Sequence, residues 1–234
     1  MPGISIVIPV LNEAPALERL LPYLTQSQAA GGVAEILVVD GGSSDTSRET
    51  AEKLGARVVD APRGRARQMN AGARDARGEI LYFLHADSFP PRGYDAHILE
   101  ASRGGTVSGC FRLRFDWPHP VLKLFAWFTR FPWPICRGGD QSLFVPAEAF
   151  RRLGGYDERF RIYEDNEFIG RLRRETPFRI LPQRIDTSAR KYREVGLWRL
   201  QYHFGVIHLM RFAGATPEAL YAYYARRIAC RTYS

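Results

Sequence analysis

Cysteine is scarce in this chain of 234 residues: three in all, Cys110, Cys136 and Cys230, far apart and without a CxxC pair. That scarcity excludes a disulfide framework and a cysteine zinc site, and leads us to expect a reducing, cytoplasmic compartment. The five histidines show neither HxxxH nor HExxH spacing, so a zinc site of that kind is excluded as well. Long apolar runs are also missing. The two richest stretches, 121–136 and 195–213, are interrupted by Lys123 and Arg130 and by Arg199, His203, His208 and Arg211, whereas a membrane-spanning helix needs about 20 predominantly apolar residues. The amino terminus runs Met-Pro-Gly into an apolar segment without a basic region or a cleavage-like site, so no export signal is expected. There is no P-loop, no GxSxG and no GxGxxG, which argues against a P-loop NTPase, an α/β-hydrolase and a dinucleotide dehydrogenase.

What remains is an ordinary globular composition, 45% hydrophobic and 25% charged, long enough for one large domain or a domain with an appendage. We place the only expected boundary near Arg190, with residues 1–190 as the main domain and 191–234 as a helical appendage packed on it. Charge is unevenly spread. Of a net charge of +8, the stretch from Ala189 to Ser234 carries eight Arg or Lys against Glu194 and Glu218. Such an excess suits an anionic partner, whether a phosphate group, an acidic membrane surface or nucleic acid, or it is a solvated helix face.

The first 90 residues alternate strand and helix. Ile4 to Val10, Glu35 to Val39 and Ile80 to Leu84 are short, continuous apolar runs rich in branched residues, as expected of strands buried on both faces of a parallel sheet. Between them Leu17, Leu20, Leu21 and Leu24 fall at helical spacing behind Asn12, a residue suited to capping; Ser43 or Ser44 is suited to cap the next helix. Residues 56–59 form a short third strand and 65–76 a third helix, completing a βαβ rhythm. From Val107 to Phe115 apolar and polar residues alternate, which predicts a half-exposed strand antiparallel to the others. A strand over 141–145, helices from Pro146 to Gly154 and over 165–174, and two terminal helices over 195–212 and 217–231 complete the expected α/β architecture.

Ligands of doubly wound sheets bind at the carboxyl ends of the strands. Three strands end there in polar clusters: Pro9-Val10-Leu11-Asn12-Glu13, Asp40-Gly41-Gly42-Ser43-Ser44-Asp45 and His85-Ala86-Asp87. One such carboxylate is most often a helix cap; three along one rim point to a site. The two glycines after Asp40 allow close approach of a ligand and leave that carboxylate free to accept from a base or sugar. Asp87 follows an apolar central strand, where an unpaired carboxylate is costly and a divalent cation, Mg²⁺ or Mn²⁺, would relieve the cost.

These segments resemble family 2 glycosyltransferases of the GT-A fold. The elements are SIVIPVLNE (5–13), VVDGGSSDTS (38–47), GRARQMNAG (64–72), GEILYFLHADS (78–88), GGYDERF (154–160) and the pair Glu164-Asp165. The order and spacing are closest to a compact bacterial subgroup associated with radical-SAM and selenium-related gene clusters. The resemblance implies a GT-A, Rossmann-like, mostly parallel sheet flanked by helices, and inverting transfer of a sugar from a UDP- or GDP-sugar to an acceptor hydroxyl. It implies that Pro9 and Glu13 line the nucleoside pocket, that Asp40 bonds the base, and that Arg65 lies near the nucleotide. Asp87 would hold the divalent metal, with His85 in place of the first Asp of the usual DxD motif. Asp165 would be the general base, unless it only caps its helix. Asp140 and Gln141 would face the acceptor.

Two features stay open on the residues alone. The aromatic stretch Phe125, Trp127, Phe128, Phe131 and Trp133 reads either as core packing or as a surface for an apolar acceptor or a membrane. Arg190, Lys191 and Arg193 read as a basic loop over the diphosphate or as solvated surface. We expect the apolar residues of the terminal helices (Trp198, Phe204, Leu209, Phe212, Tyr221 and Tyr224) to pack inward, with arginines outward, and peripheral contact with the inner membrane face as an option. Nucleic acid is not an expected partner. A nucleotidyltransferase, or a binding module that has lost catalysis, is the alternative function; PVLNE stands where the former carries a Gly-rich basic loop, and retention of Asp87 and Asp165 argues against the latter.

Overall fold

A computed structural model describes residues 3–103 and 106–229; Cys230, Arg231 and the end of the last expected helix lie outside the described residues. The apolar runs form the strands they predict: β1 (Ile4–Val10), β2 (Val33–Asp40), β3 (Arg57–Asp60) and β4 (Ile80–Phe83). They pair in parallel, with β1 between β2 and β4 and with β3 outside β2. Along β1, Ile4, Ile6 and Ile8 enter one apolar cluster while Val7 enters another on the opposite face. Burial on both faces explains why the run is continuous rather than alternating.

One face is covered by α1 (Ala14–Gln26), whose Leu17, Leu20, Leu21 and Leu24 are buried, and by α4 (Tyr94–Ala101). The other is covered by α3 (Arg65–Asp75), α6 (Ala147–Arg152) and α7 (Glu164–Glu175). Helix α3 lies tight on the sheet because Gly72 has no side chain: a Cβ there would stand 2.5 Å from Val7 Cγ1.

The second half of the sheet is β5 (Ser88–Phe89), β6 (Ser108–Phe115), β7 (Leu143–Pro146) and β8 (Phe178–Thr187), giving the order β3-β2-β1-β4-β7-β6-β8-β5. Here the structure corrects the sequence reading. Strand β7 is antiparallel to both β4 and β6, so β6 runs in the same sense as β1 and β4, and the reversed strands are β7 and the short edge strand β5. Alternation in 107–115 reports which face meets solvent and says nothing about direction. Only its far half is open: Ser108 to Phe111 are buried and Arg114 is exposed.

The expected caps also take other partners. Asn12 adopts φ 56° and its Oδ1 accepts from the N–H of Ser44, 2.8 Å away, in the neighbouring loop. Ser43 turns back to Asp40 rather than capping α2 (Ser47–Lys53). The N–H groups of Glu13 and Ala14 are met instead by Ser47 Oγ and Asp45 Oδ2. Two strand-end loops are thereby laced together.

Helix α5 (Pro120–Phe128) holds part of the aromatic stretch, yet Leu122 is its only buried residue and Trp127 and Trp133 are exposed. Phe125 packs beside Leu122 in a small cluster, while Trp127 and Trp133 stand outside any core. Gly196, at φ 94°, divides the expected 195–212 helix into α8 (Arg190–Val195) and α9 (Leu197–Phe212); α10 (Pro217–Arg227) follows. Leu200, Ile207, Leu220 and Ile228 pack with Phe160 and Tyr163, so these helices rest on the segment leading into α7. No helix among the described residues is long and apolar enough to cross a membrane.

Candidate active site

Strand directions gather the candidate residues. The carboxyl ends of β1, β2, β4, β6 and β8 and the amino end of the reversed β7 share one rim. The segments leaving or entering there carry Glu13, Asp40, Asp87, Asp140 and Arg190. Among the described residues, the three non-glycine positions with positive φ are Asn12, Ser142 and Tyr163. Each lies in a segment feeding this rim, where strained backbone is held by its surroundings.

At its centre is His85. Its Nδ1 lies 3.5 Å from Asp140 Oδ1 and its Nε2 lies 4.0 Å from Asp165 Oδ2. The side chains of His85 and Asp165 are nearly buried, whereas that of Asp140 is 58% exposed at the mouth of the cleft. Burial and the Arg65 charge push the imidazole down, but the Asp140 and Asp165 carboxylates outweigh them and hold His85 above its ordinary pKa. Loss of some surrounding water at the mouth of the cleft pushes Asp140 up, and His85, Arg65 and Lys191 reverse that, leaving it below the usual carboxylate range. The histidine in the DxD position thus connects the two carboxylates.

Asp165 stands in the first turn of α7, whose N-cap is Tyr163 and which receives no side-chain capping bond. Its carboxylate is turned toward His85 rather than to the helix end. Burial holds Asp165 above the usual carboxylate range, with Asp140 adding to the effect and His85, Arg65 and the Tyr156 hydroxyl opposing it. The adjacent Glu164 is raised by burial and by Asp165 itself. Two neighbouring buried carboxylates resist losing both protons. A buried carboxylate with an elevated pKa is suited to accept a proton near neutral pH.

Arg65, at the start of α3, lies in the field of Glu164, Asp140, Asp165 and Asp87; although the loss of surrounding water opposes its charge, these carboxylates raise its pKa. Arg190, from α8, reaches Glu13 Oε1 at 3.4 Å and feels Asp87. Lys191 bonds the Tyr224 hydroxyl and acts on Asp140, while Arg193 pairs with Asp116 instead. The basic segment after β8 therefore borders the site through Arg190 and Lys191.

Two expected ligands are engaged internally. Asp40 is buried and accepts from the N–H groups of Gly42 and Ser43 and from Ser43 Oγ. That uses three of about four acceptor directions of a carboxylate. Gln141 is also buried, its amide bonding Cys136 O and its Oε1 accepting from Cys110 Sγ, so it braces the loop. Pro9 is half-buried beside Val39, and Glu13 and Asp87 are partly open to the cleft. Sequence reading missed Tyr156, which packs on Phe83 and Phe168 and whose buried hydroxyl makes no hydrogen bond among the described residues, though it holds the pKa of Asp165 down. A tyrosine after two glycines carries no signal of that kind.

No three His, Cys, Asp or Glu side chains are arranged to enclose a metal ion among the described residues. Asp87 alone fits a different arrangement, in which one carboxylate and the phosphates of a bound nucleotide share a Mg²⁺ or Mn²⁺.

Residues 5–123 match the model of glycosyl transferase family 2, half of the chain. The chain belongs to that family. An uncharacterized glycosyltransferase of Mycobacterium tuberculosis is 31% identical over 185 residues, 72% of this chain and 68% of that one. The validoxylamine A glucosyltransferase of Streptomyces hygroscopicus subsp. jinggangensis is 30% identical over 172 residues, 66% of this chain but only 36% of the relative. Among solved structures, a mannosyltransferase from Pyrobaculum calidifontis in complex with GDP-Man and Mn²⁺ superposes with a TM-score of 0.70 at 22% identity, covering 95% of this chain and 69% of that one. The fold is GT-A, with four parallel and three antiparallel strand pairings in one sheet.

Proposed function

We propose that this glycosyltransferase moves a hexose from a UDP- or GDP-sugar to an acceptor hydroxyl with inversion at the anomeric carbon, assisted by a divalent metal. The observation that carries the reading is the meeting of Asp165, His85, Asp140 and Arg65 in one cleft, with Asp165 buried and its pKa raised. Asp165 accepts the proton of the acceptor hydroxyl as that oxygen attacks the anomeric carbon, on the face opposite the departing diphosphate. His85 holds Asp165 and Asp140 in register, and Asp140, at the mouth, meets the incoming acceptor or sugar. Pro9, Glu13 and the remaining acceptor direction of Asp40 line the nucleoside pocket. Arg65 and Arg190 meet the diphosphate and stabilise the negative charge that develops there. Asp87 would hold the metal, which supplies Lewis-acid charge to the leaving diphosphate. Membership of the family names no acceptor.

Thermal denaturation against UDP, GDP, ADP and the corresponding sugars, each with and without Mn²⁺, tests the donor assignment. A ligand at 100 times its Kd stabilises by about 2.7 kcal/mol. The expected result is a metal-dependent rise in Tm with a uridine or guanosine diphosphate; no rise with any of them contradicts the reading.

A further inference from the structure

Helix α9 is apolar on two opposite faces. Leu200 and Ile207 are buried against α10 and Phe160, as an amphipathic helix requires. The outward face carries Trp198, Tyr202, Leu209 and Phe212, which are 70%, 68%, 69% and 93% exposed. At 100° per residue these four fall within about 80° of arc and span roughly 20 Å of helix. This overturns the expectation that Trp198, Leu209 and Phe212 pack inward. A helix with apolar residues on two opposite faces ordinarily has both covered by protein or lipid, and this one is covered on one side only.

The stripe is not isolated. Leu197, at its start, packs with Leu122 of α5 in a cluster that includes Trp117 and Phe125, and α5 and its following loop expose Leu124, Trp127, Trp133 and Ile135. Charge decides the occupant. Neither 197–212 nor 117–137 contains an aspartate or glutamate, and the exposed Lys123 and Arg130 stand among the aromatics of α5 and its loop, while Arg199 and Arg211 turn to Arg227 O and the Phe160 ring on the inner side of α9. Two such surfaces facing each other would juxtapose like charges, whereas an anionic bilayer offers both an apolar interior and negative headgroups.

We propose that the outward face of α9, continued by the exposed aromatics of α5 and its loop, seats this protein on an anionic lipid surface. Tryptophan, tyrosine and phenylalanine enter the headgroup region and Lys123 and Arg130 meet the phosphates. The loop from Pro134 to Gln141, which carries Asp140, is thereby held at the boundary between lipid and water. Binding to lipid does not depend on the transfer reading, because it is measured without donor.

Flotation with vesicles of mixed phosphatidylglycerol and phosphatidylcholine, and with phosphatidylcholine alone, tests it on the whole chain. The wild-type protein is expected to float with the anionic vesicles and to be released by salt. The triple variant Trp198→Ser, Leu209→Ser, Phe212→Ser changes only exposed positions and should melt as wild type does while its lipid affinity falls about tenfold or more. Wild-type protein left in the aqueous layer at low salt, a variant that floats equally well, or equal flotation on phosphatidylcholine alone would overturn the proposal. So would a wild-type dimer in light scattering that the triple variant dissolves while neither form floats, since the stripe would then face a second copy.

Discussion

The backbone of Gly139 lies against the carboxylate of Asp165: a Cβ at that position would collide with Oδ2, and would stand 2.6 Å from Cε1 of His85. The loop before β7 and the first turn of α7 thus meet through a glycine that has no room for any side chain.

Gly139→Ala should therefore displace Asp165 or His85 while leaving the sheet untouched. We expect transfer to fall by about 10² or more, the loss typical of a misplaced catalytic group, with little change in Tm. Wild-type turnover in this variant would show that the contact does not position the base.

Asp165→Asn preserves shape and removes the basic oxygen. Donor affinity should stay near wild type and transfer should fall by roughly 10² to 10⁴. Calorimetric titration with a nucleoside diphosphate and a transfer assay separate the two effects.

The pH profile follows from the same carboxylate. A base whose pKa is raised by burial is inactive below that pKa, so the rate should climb with pH through a limb above the usual carboxylate range. The Arg65 charge lowers the pKa of Asp165, so Arg65→Gln should move the limb to higher pH. A limb that stays in place, or moves down, would show that Asp165 is not the group being titrated.

Asp95 tests the scaffold. It is fully buried and accepts from the N–H groups of Ala29, Ala30 and Gly32. Burial pushes it up, but these donors leave it below the usual range. A depressed carboxylate stabilises the fold at neutral pH, and that stability is lost as pH falls through its folded pKa. Asp95→Ala should cost about 3 kcal/mol at pH 7 by denaturant titration, since three backbone donors lose a charged partner, and the deficit should shrink in acid.

Much of this was legible in the chain itself. Continuous apolar runs announced β1, β2 and β4 because strands buried on both faces have no polar side to show, and Leu17 to Leu24 announced α1 by spacing alone. Strand β8 was not legible: Arg179, Gln183 and Arg184 break its apolar pattern because only part of it is covered. The intended partner of a short polar side chain was not legible either. Asn12 and Ser43 have the chemistry of helix caps, and only the assembled fold shows that they serve neighbouring loops. At the site, motif order placed Asp87, His85, Asp140 and Asp165 in one region; the closeness of Gly139 and the role of Tyr156 arise from contacts between segments distant in sequence.

In the proposed reaction this cleft breaks the bond between a sugar and a nucleoside diphosphate, with Asp165 as base and Asp87 as the metal's protein ligand. Release of nucleoside diphosphate from a panel of UDP- and GDP-sugars with Mn²⁺, measured for wild type, Asp87→Ala and Asp165→Asn, tests it most directly. The account predicts release from at least one donor by wild type, lost on chelation and in both variants, with Asp165→Asn still binding the nucleotide. Release that persists at the wild-type rate in Asp165→Asn, or that ignores both chelation and Asp87→Ala, would contradict it.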